Sequence, residues 1–248
     1  CMNELNLNDK LFKPKAILGE ISRAKDNMIS WEKYGDEAGS DYRKQEIAKV
    51  YQCYQSRLLQ ANALDFDDII CKTVELFVQY PDVLEYYQNR WRYILVDEYQ
   101  DTNHAQFKLV SLLARAHKNL CVVGDDDQSI YKFRGATIEN ILSFEQQFPG
   151  TAVIRLEQNY RSTQNILDAA NEVIRHNMAR KGKNLWTENG AGQKIQLRKL
   201  SDEHAEAKFI ADTVEEDVSK GMRYGDHAVL YRMNAQSGVI EQHFIKAG

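Results

Sequence analysis

The stretch ILVDEYQDTN, residues 94–103, decides the fold class, because a short apolar run ends there in two adjacent carboxylates. Short, continuously apolar runs are typical of strands that are buried on both faces of a parallel sheet. In open α/β sheets, ligands bind at the carboxyl ends of the strands, where Asp97 and Glu98 follow the apolar run. Taken alone, the stretch fits a magnesium-holding strand end and a solvated strand exit with a helix cap equally well.

Further apolar runs at 119–125 (NLCVVGD) and 151–160 (TAVIRLEQNY) predict two more strands of this kind. Amphipathic patterns at 104–116 and 137–148 predict helices between the strands. Strands that alternate with helices indicate an α/β protein with a parallel sheet.

The first sixty residues predict helices only. Pro14 suits a first helical turn, and a second helix is expected from about Tyr42. The segment EKYGDEAGSD, residues 32–41, is predicted to be a loop because glycine, acids and serine cluster there. A third helix is expected from about Asp65.

A second unit is predicted after Tyr160. There, a helix capped by Ser162 is followed by a strand at 194–200, a helix at 202–220 and another strand at 227–234. A last helix follows that strand.

The composition, with 248 residues of which 43% are hydrophobic and 27% charged, is that of an ordinary soluble protein. No apolar stretch has the length of a membrane span and no signal-peptide pattern begins the chain, so we expect no membrane partner and a cytoplasmic location. The net charge of −4 gives no global attraction to nucleic acid, although a groove can be basic on an acidic protein. Because Cys1 precedes Met2, we expect the chain to be an internal piece of a longer protein.

The segment GDDDQSIYKFRGA, residues 124–136, also follows a predicted strand. Gln128 is a neutral amide that can bind both a phosphate oxygen and a water. Tyr131 and Phe133 stand beside a cation, which is the mixture that stacking platforms for single-stranded bases use. The residues alone leave open whether both aromatics belong to the core instead.

In LEQNYRST, residues 156–163, Arg161 precedes a helix, where a cation is mildly unfavourable unless an anion is close. Such an arginine could neutralise a transferring phosphoryl group, and Tyr160 could stack on a purine. A surface arginine beside a helix is the alternative.

Two weaker signals follow. In LYRMNAQS, residues 230–237, Arg232 and Asn234 are expected at a strand end, and both residue types contact phosphates and bases. The most basic run, residues 175–186, is either a solvated loop or a phosphate contact.

In this order, DEYQDTN, GDxDQSIYxFRGA, LEQNYRST and AVLYRxNAQS together resemble the superfamily 1A DNA helicases of the PcrA/UvrD/Rep group. The resemblance runs from about Lys13 to the C-terminus. It implies partial RecA-like parallel sheets of the P-loop NTPase type with an N-terminal helical subdomain. The expected domains are a 1B-like helical subdomain at 1–64, part of the first motor domain at 65–160 and part of the second at 161–248.

The resemblance also implies roles in an ATP and Mg²⁺ site. Asp97 and Glu98 correspond to the acids that hold magnesium, mostly through water, and activate the attacking water. Gln128 corresponds to the glutamine that contacts the γ-phosphate. Arg161 corresponds to an arginine finger, and Tyr160 to the tyrosine that stacks on adenine.

On the DNA side, the resemblance makes Tyr131 and Phe133 the aromatics that stack on single-stranded bases. Tryptophan is commoner in the family at the second position, so the phenylalanine implies a weaker platform. Arg232 and Asn234 match strand-contacting positions. The implied partners are single-stranded DNA, junctions of single- and double-stranded DNA, and the missing N- and C-terminal parts of the same chain.

No G-x-x-x-x-G-K-[ST] phosphate loop occurs in the 248 residues, since Asn184 follows the Gly182-Lys183 pair. The helicase motifs V and VI are absent as well. Without the backbone cradle and lysine of that loop, most phosphate binding is lost. We therefore predict that this chain alone does not hydrolyse ATP.

The favoured function is a fragment of an ATP-dependent 3′-to-5′ DNA helicase of replication or repair. The helicase part of a helicase–nuclease complex shares these motifs and stays an alternative. A non-catalytic module that binds single-stranded DNA or a protein would also explain the missing phosphate loop. A metal-dependent hydrolase that uses Asp97, Glu98 and Asp101 is disfavoured, because histidine ligands do not accompany them.

Overall fold

The computed structural model describes residues 1–178 and 180–247, without the side chains of Arg134 and Ala247. Its contacts group the chain into two units. The first consists of Cys1–Tyr160 with Asp168–Trp186, and the second consists of Arg161–Leu167 with the chain from Thr187 onward. The first unit holds the N-terminal helices and the first strands together, and the three domains proposed above stay a prediction.

The N-terminal helices form the main core of the first unit. Helix α1 spans Pro14–Asp26 and α3 spans Tyr42–Gln60, so the helices predicted from Pro14 and Tyr42 are confirmed. The apolar stripe of α1 packs against the facing stripe of α3, and the shared cluster contains Phe12, Ile17, Ile21, Ala24, Ile47, Val50 and Tyr51.

The loop predicted at 32–41 is wrong, because helix α2 spans Trp31–Ala38. The Ser30 hydroxyl caps this helix by accepting a 3.4 Å hydrogen bond from the Lys33 N–H. Gly35, which the sequence pattern counts as a breaker, lies inside α2, and a Cβ there would make an ordinary contact with the Cβ of Ala48 at 3.6 Å, because α2 packs against α3. Packing between helices therefore outweighs the low helix propensity of the segment.

Helix α4 spans Phe66–Gln79 and is joined to α1 by a buried lysine. The Lys25 ammonium lies 2.7 Å from Asp65 Oδ2 and 2.9 Å from Asp68 Oδ1. Helix α5, at Pro81–Arg90, completes this layer and was not predicted.

The sheet is a parallel pair, which confirms the α/β class. Strand β1 spans Ile94–Val96, β2 spans Leu120–Val122, and Leu95 lies opposite Cys121. Helix α6, at His104–Ala114, makes the crossover between the strands. Both strands lie where the apolar runs predict them, but the protein is helix-rich and this sheet is small and open.

The helix predicted at 137–148 is interrupted. Helix α7 ends at Leu142 and α8 begins at Phe144; their ranges are Glu139–Leu142 and Phe144–Gln147. Between them, the Ser143 hydroxyl donates to the Glu139 carbonyl, a local bond that competes with regular helix.

The remaining helices are α9 (Gln164–Ile174), α10 (Glu203–Ser219) and α11 (Ala235–Ala247). Asp202 caps α10 by accepting from the Ala205 N–H at 2.8 Å, and α10 packs against α11 within the second unit. The helices predicted after Ser162 and at 202–220 are therefore confirmed.

The strands predicted at 151–160, 194–200 and 227–234 are wrong for the part of the chain that is described. Only Gln158 makes an isolated parallel bridge, to Trp186. A strand exists through the backbone hydrogen bonds of a neighbour, and these segments lack such a neighbour in the described residues. Their apolar side chains are correspondingly open to solvent: Ile154 is 83%, Leu197 94% and Leu230 95% exposed.

Candidate functional site

Asp97 and Glu98 lie exposed at the carboxyl end of β1, as predicted. The Asp97 Oδ1 accepts a 2.9 Å hydrogen bond from the Glu98 N–H. Glu98 has φ 50° and ψ 41°, a left-handed conformation that costs an ordinary residue about 1–2 kcal/mol. The chain therefore turns sharply at Glu98 and leaves both carboxylates at the open edge of the sheet.

A buried amide, Gln100, connects this strand end to the next. Gln100 is 1% exposed, and its Nε2 donates to Glu98 Oε2 at 2.7 Å. Its Oε1 accepts from the backbone N–H of Asp125 at 2.9 Å. The sequence analysis did not single out Gln100. Its position between Glu98 and Asp101 could have identified it, because an amide there can donate to one of these carboxylates.

The close approach of Gln100 explains a glycine after β2. A Cβ at Gly124 would lie 2.6 Å from Gln100 Oε1 and 2.8 Å from Ile141 Cδ1, far inside contact distance. Only a residue without a side chain leaves room for the amide that connects the two strand ends.

Gln128 ends a short 3-10 turn, Asp126–Gln128, that follows β2. Its Nε2 donates to Asp125 Oδ2 at 2.8 Å, while the other oxygen of Asp125 accepts from the Asp127 N–H at 3.0 Å. Because an ionised carboxylate only accepts hydrogen bonds, this contact fixes which end of the Gln128 amide faces Asp125. Gln128 and Glu98 thus belong to one hydrogen-bonded group of residues, linked through Gln100 and Asp125.

Residues 180–183, which we call the basic clamp, meet the three consecutive acids after β2. Each acid contacts a different residue of the clamp at its shortest distance. The pairs are Lys183 Nζ with Asp125 Oδ1, the Lys181 backbone N–H with Asp126 Oδ2 at 2.7 Å, and Arg180 Nη2 with Asp127 Oδ2 at 2.7 Å. This part of the basic run is therefore not a fully solvated loop, while Arg175 at its start is exposed.

The basic clamp also sets the charge of Asp125. Burial opposes ionisation of this carboxyl, but the hydrogen bonds from Lys183 and Gln128 outweigh burial and lower its pKa. Asp125 is accordingly a carboxylate acceptor for Gln128 at neutral pH.

Asp101 and Asp26 are two further acids near β1. Burial, followed by the charge of Glu98, raises the pKa of Asp101. Asp26, the last residue of α1, accepts a 2.5 Å hydrogen bond from Asn103, which caps α6. Burial, with a smaller effect of the Asp67 charge, raises the pKa of Asp26 to about 6, although the Asn103 bond acts against this.

Tyr131 and Phe133 form an exposed aromatic pair. Their ring centroids are 5.8 Å apart with planes inclined by 33°, and Phe133 is 73% exposed. Both line a cavity of about 660 Å³ together with Phe66, Arg23 and Asp101. The exposure of Phe133 speaks against the interpretation that both rings belong to the core.

The other predicted residues are divided between the two units. Tyr160 belongs to the first unit, is exposed, and donates from its hydroxyl to Gln158 Oε1 at 3.0 Å. Arg161, Arg232 and Asn234 belong to the second unit.

Within the second unit, Arg232 and Asn234 are exposed in the segment before α11. The Arg232 N–H donates to Gln236 Oε1 at 3.1 Å, and the Asn234 carbonyl accepts from the Ser237 hydroxyl at 2.9 Å. Both side chains precede a helix, although the strand predicted before them does not form.

The carboxylates at the end of β1 fit magnesium by their chemistry. Mg²⁺ takes hard oxygen ligands and is commonly held by one or two carboxylates together with waters and phosphate oxygens. The described residues contain no cluster of three or more histidine, cysteine or acidic side chains that could enclose a metal. By their chemistry, Asp97 and Glu98 suit a cation that also binds phosphate oxygens.

The described helices are each too short or too polar to cross a membrane.

Comparison with known proteins gives two adjacent family matches. The model of the UvrD/REP helicase N-terminal domain matches residues 1–149, and the model of the UvrD-like helicase C-terminal domain matches residues 154–248.

Three curated relatives have the same name, ATP-dependent DNA helicase PcrA. The chain is 53% identical to the one from Bacillus subtilis over 248 residues, which is 100% of this chain and 33% of that protein. It is 52% identical to those from Staphylococcus epidermidis and Staphylococcus aureus over 242 residues, which is 98% of this chain and 33% of each relative. The chain spans about a third of the length of these relatives.

Proposed function

Because the chain belongs to the UvrD-like helicase family, we propose that it carries the magnesium- and water-handling half of an ATP-driven DNA helicase motor. The observation that carries the proposal is the Gln100 bridge. Through this buried amide, the acid at the end of β1 and the glutamine loop after β2 are held in one group of hydrogen bonds. Phosphoryl transfer depends on positioning and charge stabilisation, and such a group supplies positioning.

In the proposed site, Asp97 holds Mg²⁺, mostly through water, and Glu98 orients and deprotonates the attacking water. Magnesium, when bound, neutralises charge on the phosphate oxygens. The hydrogen bond from Gln100 leaves the second carboxylate oxygen of Glu98 for that water. Gln128 directs its amide toward the γ-phosphate and the same water.

Tyr160 and Arg161 are each proposed to act on the nucleotide. Tyr160 offers an exposed ring for stacking on adenine. Arg161 provides a guanidinium that stabilises negative charge on the transferring phosphoryl group.

On the DNA side, we propose that Tyr131 and Phe133 stack on bases of a single strand. Their exposure and their inclination of 33° suit two successive bases that are not coplanar. Arg232 and Asn234 are proposed to contact the same strand. The 3′-to-5′ direction, junction binding, a role in replication or repair and a cytoplasmic location belong to this proposal.

The remaining parts of the motor are proposed to come from further segments of the same protein. The phosphate loop is not in the 248 residues. Leu95 and Cys121, opposite each other in the sheet, are exposed, as are the apolar side chains of the extended segments. Apolar surface of this kind is typical of faces that another element covers.

The test compares this chain with a longer form of the protein that includes a phosphate loop. We expect no ATP turnover by the 248 residues with Mg²⁺ and single-stranded DNA, and DNA-stimulated turnover by the longer form. Turnover by the 248 residues that disappears in Glu98→Gln would contradict the division of the site.

A non-catalytic module for single-stranded DNA is the second candidate, favoured by the exposed aromatic pair. Tyr131→Ala and Phe133→Ala should each weaken binding of a fluorescent oligothymidine by roughly 1–3 kcal/mol. Tyr42→Ala, which removes another exposed ring of the same unit, is the matched control. Equal affinity of all three variants and the wild type would exclude the stacking role.

A further inference from the structure

The basic clamp pairs with the acids after β2 one by one and in reverse order along the chain. Lys183 meets the first acid, the Lys181 backbone the second, and Arg180 the third. Lys183 also lies 3.6 Å from the third acid, Asp127. Three adjacent carboxylates repel each other and any nearby phosphate, and the ion pairs of Asp125 and Asp127 offset two of these three charges.

Lys183 and Gln128 bind opposite oxygens of the same carboxylate. Lys183 Nζ contacts Asp125 Oδ1, and Gln128 Nε2 donates to Asp125 Oδ2 at 2.8 Å. The Lys183 and Asp125 side chains are 18% and 25% exposed, so solvent screens the pair only in part. The orientation of the Gln128 amide therefore depends on the Asp125 carboxylate. The charge of that carboxylate is sustained by Lys183, which lies 58 residues further along the chain.

We propose that Lys183 is a positioning residue for Gln128 and acts through Asp125. The inference rests on the proposed role of Gln128 at the nucleotide. With Lys183 present, Asp125 is ionised and accepts from the Gln128 Nε2, which leaves the amide in one orientation. Without Lys183, Asp125 binds a proton more readily, becomes a donor, and no longer distinguishes the two ends of the amide.

The contact is tested by nuclear magnetic resonance on the 248-residue chain. The side-chain amide of Gln128, labelled with ¹⁵N and assigned with Gln128→Glu, reports the ionisation of Asp125 as the pH is lowered from neutrality. In Lys183→Met, the midpoint of that titration should move to higher pH, and Lys183→Arg should restore the wild-type curve.

Lys181→Met is the matched control. It removes the same charge two residues away, but the contact of Lys181 with Asp126 is made by the backbone and persists. Its Gln128 titration should equal that of the wild type. Asp125→Asn replaces the carboxylate of the contact with an amide that does not titrate, so it should remove the pH response of Gln128. This variant keeps the test decisive if Lys183→Met does not fold.

The catalytic consequence is measured in the longer form that contains a phosphate loop. Lys183→Met should lower kcat for ATP on the order of 10- to 100-fold, the range expected when a reacting group is misplaced, with a much smaller change in KM. Lys183→Arg should recover most of kcat, and Lys181→Met should retain it.

An unchanged Gln128 titration in Lys183→Met overturns the inference. So does a shifted titration with an unchanged kcat, because Lys183 would then hold Asp125 without any effect on the reaction. If the wild-type longer form hydrolyses no ATP, the proposed function fails, while the titration still decides whether Lys183 controls Asp125.

Discussion

The two strand ends are both rich in acids, yet they differ in what neutralises them. After β1 come Asp97, Glu98 and Asp101, and among the described side chains none of these acids has a lysine or arginine at ion-pair distance. After β2 come the acids at 125–127, of which Asp125 and Asp127 form ion pairs with the basic clamp and Asp126 accepts a backbone hydrogen bond from it. The same residue type therefore occurs in two settings: acids without an ion pair, at which we propose that a cation binds, and acids whose contacts hold a loop.

The largest effect is expected at the first strand end. In the longer form, Glu98→Gln should lower ATP turnover by roughly 10²- to 10⁴-fold, the usual contribution of a general base. The glutamine still offers an oxygen to the Gln100 amide, so the far-ultraviolet circular dichroism should not change. Turnover near the wild-type rate would mean that Glu98 does not act in ATP hydrolysis. The two strand ends would then not differ in function.

At the second strand end, the expected effect is on stability. Arg180 and Asp127 are 15% and 11% exposed, and Arg180→Met leaves a buried carboxylate with only Lys183 at 3.6 Å. The free energy of unfolding should fall by about 3 kcal/mol.

Urea unfolding followed by tryptophan fluorescence measures this change, because Trp31, Trp91 and Trp186 all belong to the first unit. Arg57→Met breaks an exposed pair with Glu4 in the same unit and should cost under about 1 kcal/mol. Similar losses in the two variants would mean that the basic clamp is ordinary surface.

The connection between the strand ends is tested at Gly124. A methyl group there collides with Gln100 and Ile141, so Gly124→Ala should destabilise the first unit by about 1–3 kcal/mol. Gly19→Ala, in helix α1, where a Cβ would make only an ordinary contact with Arg23 Nη1 at 4.0 Å, should stabilise by about 0.5–1 kcal/mol. An unchanged free energy of unfolding in Gly124→Ala would show that the Gln100 side chain can move aside without loss of stability.

The smallest effect is expected at Asp26, the last residue of α1, which accepts the hydrogen bond from Asn103. Its pKa is raised from 3.8 to about 6 in the folded protein, so its contribution favours folding at low pH and is lost as the pH rises through about 6. Asp26→Asn keeps an acceptor for Asn103 and should be more stable than the wild type at pH 7, by about 2 kcal/mol.

Unfolding curves at several pH values check the sign of this prediction. The advantage of Asp26→Asn should shrink as the pH falls from 7 towards 4, because the wild-type carboxyl then becomes protonated. A difference that does not depend on pH would mean that Asp26 is ionised normally in the folded protein.

The features that the sequence predicts well are local. The ends of β1 and β2 follow from apolar runs that stop at acids, and the helices from Pro14, Tyr42 and Asp65 follow from periodicity and caps. The helix at Trp31–Ala38 was missed because its stability comes from packing on α3, which no local pattern contains.

The contacts that organise the candidate site are not local. The basic clamp and the acids at 125–127 are separated by more than fifty residues, so their pairing follows from the fold and not from either segment. The three segments predicted as strands beyond residue 150 have apolar patterns that are typical of strands. A strand also needs a neighbouring strand to pair with, and a local pattern does not show whether one is present. The catalytic and DNA-binding roles of the individual residues stay predictions.

The left-handed backbone of Glu98 has a consequence for protein engineering. Glycine and asparagine adopt this conformation with less penalty than glutamate does. A mutant library selected only for solubility or heat resistance should therefore enrich these two residues at position 98. The variants that such a selection favours would be well-folded proteins without the Glu98 carboxylate, so a screen for yield alone would remove the acid that we propose activates the attacking water.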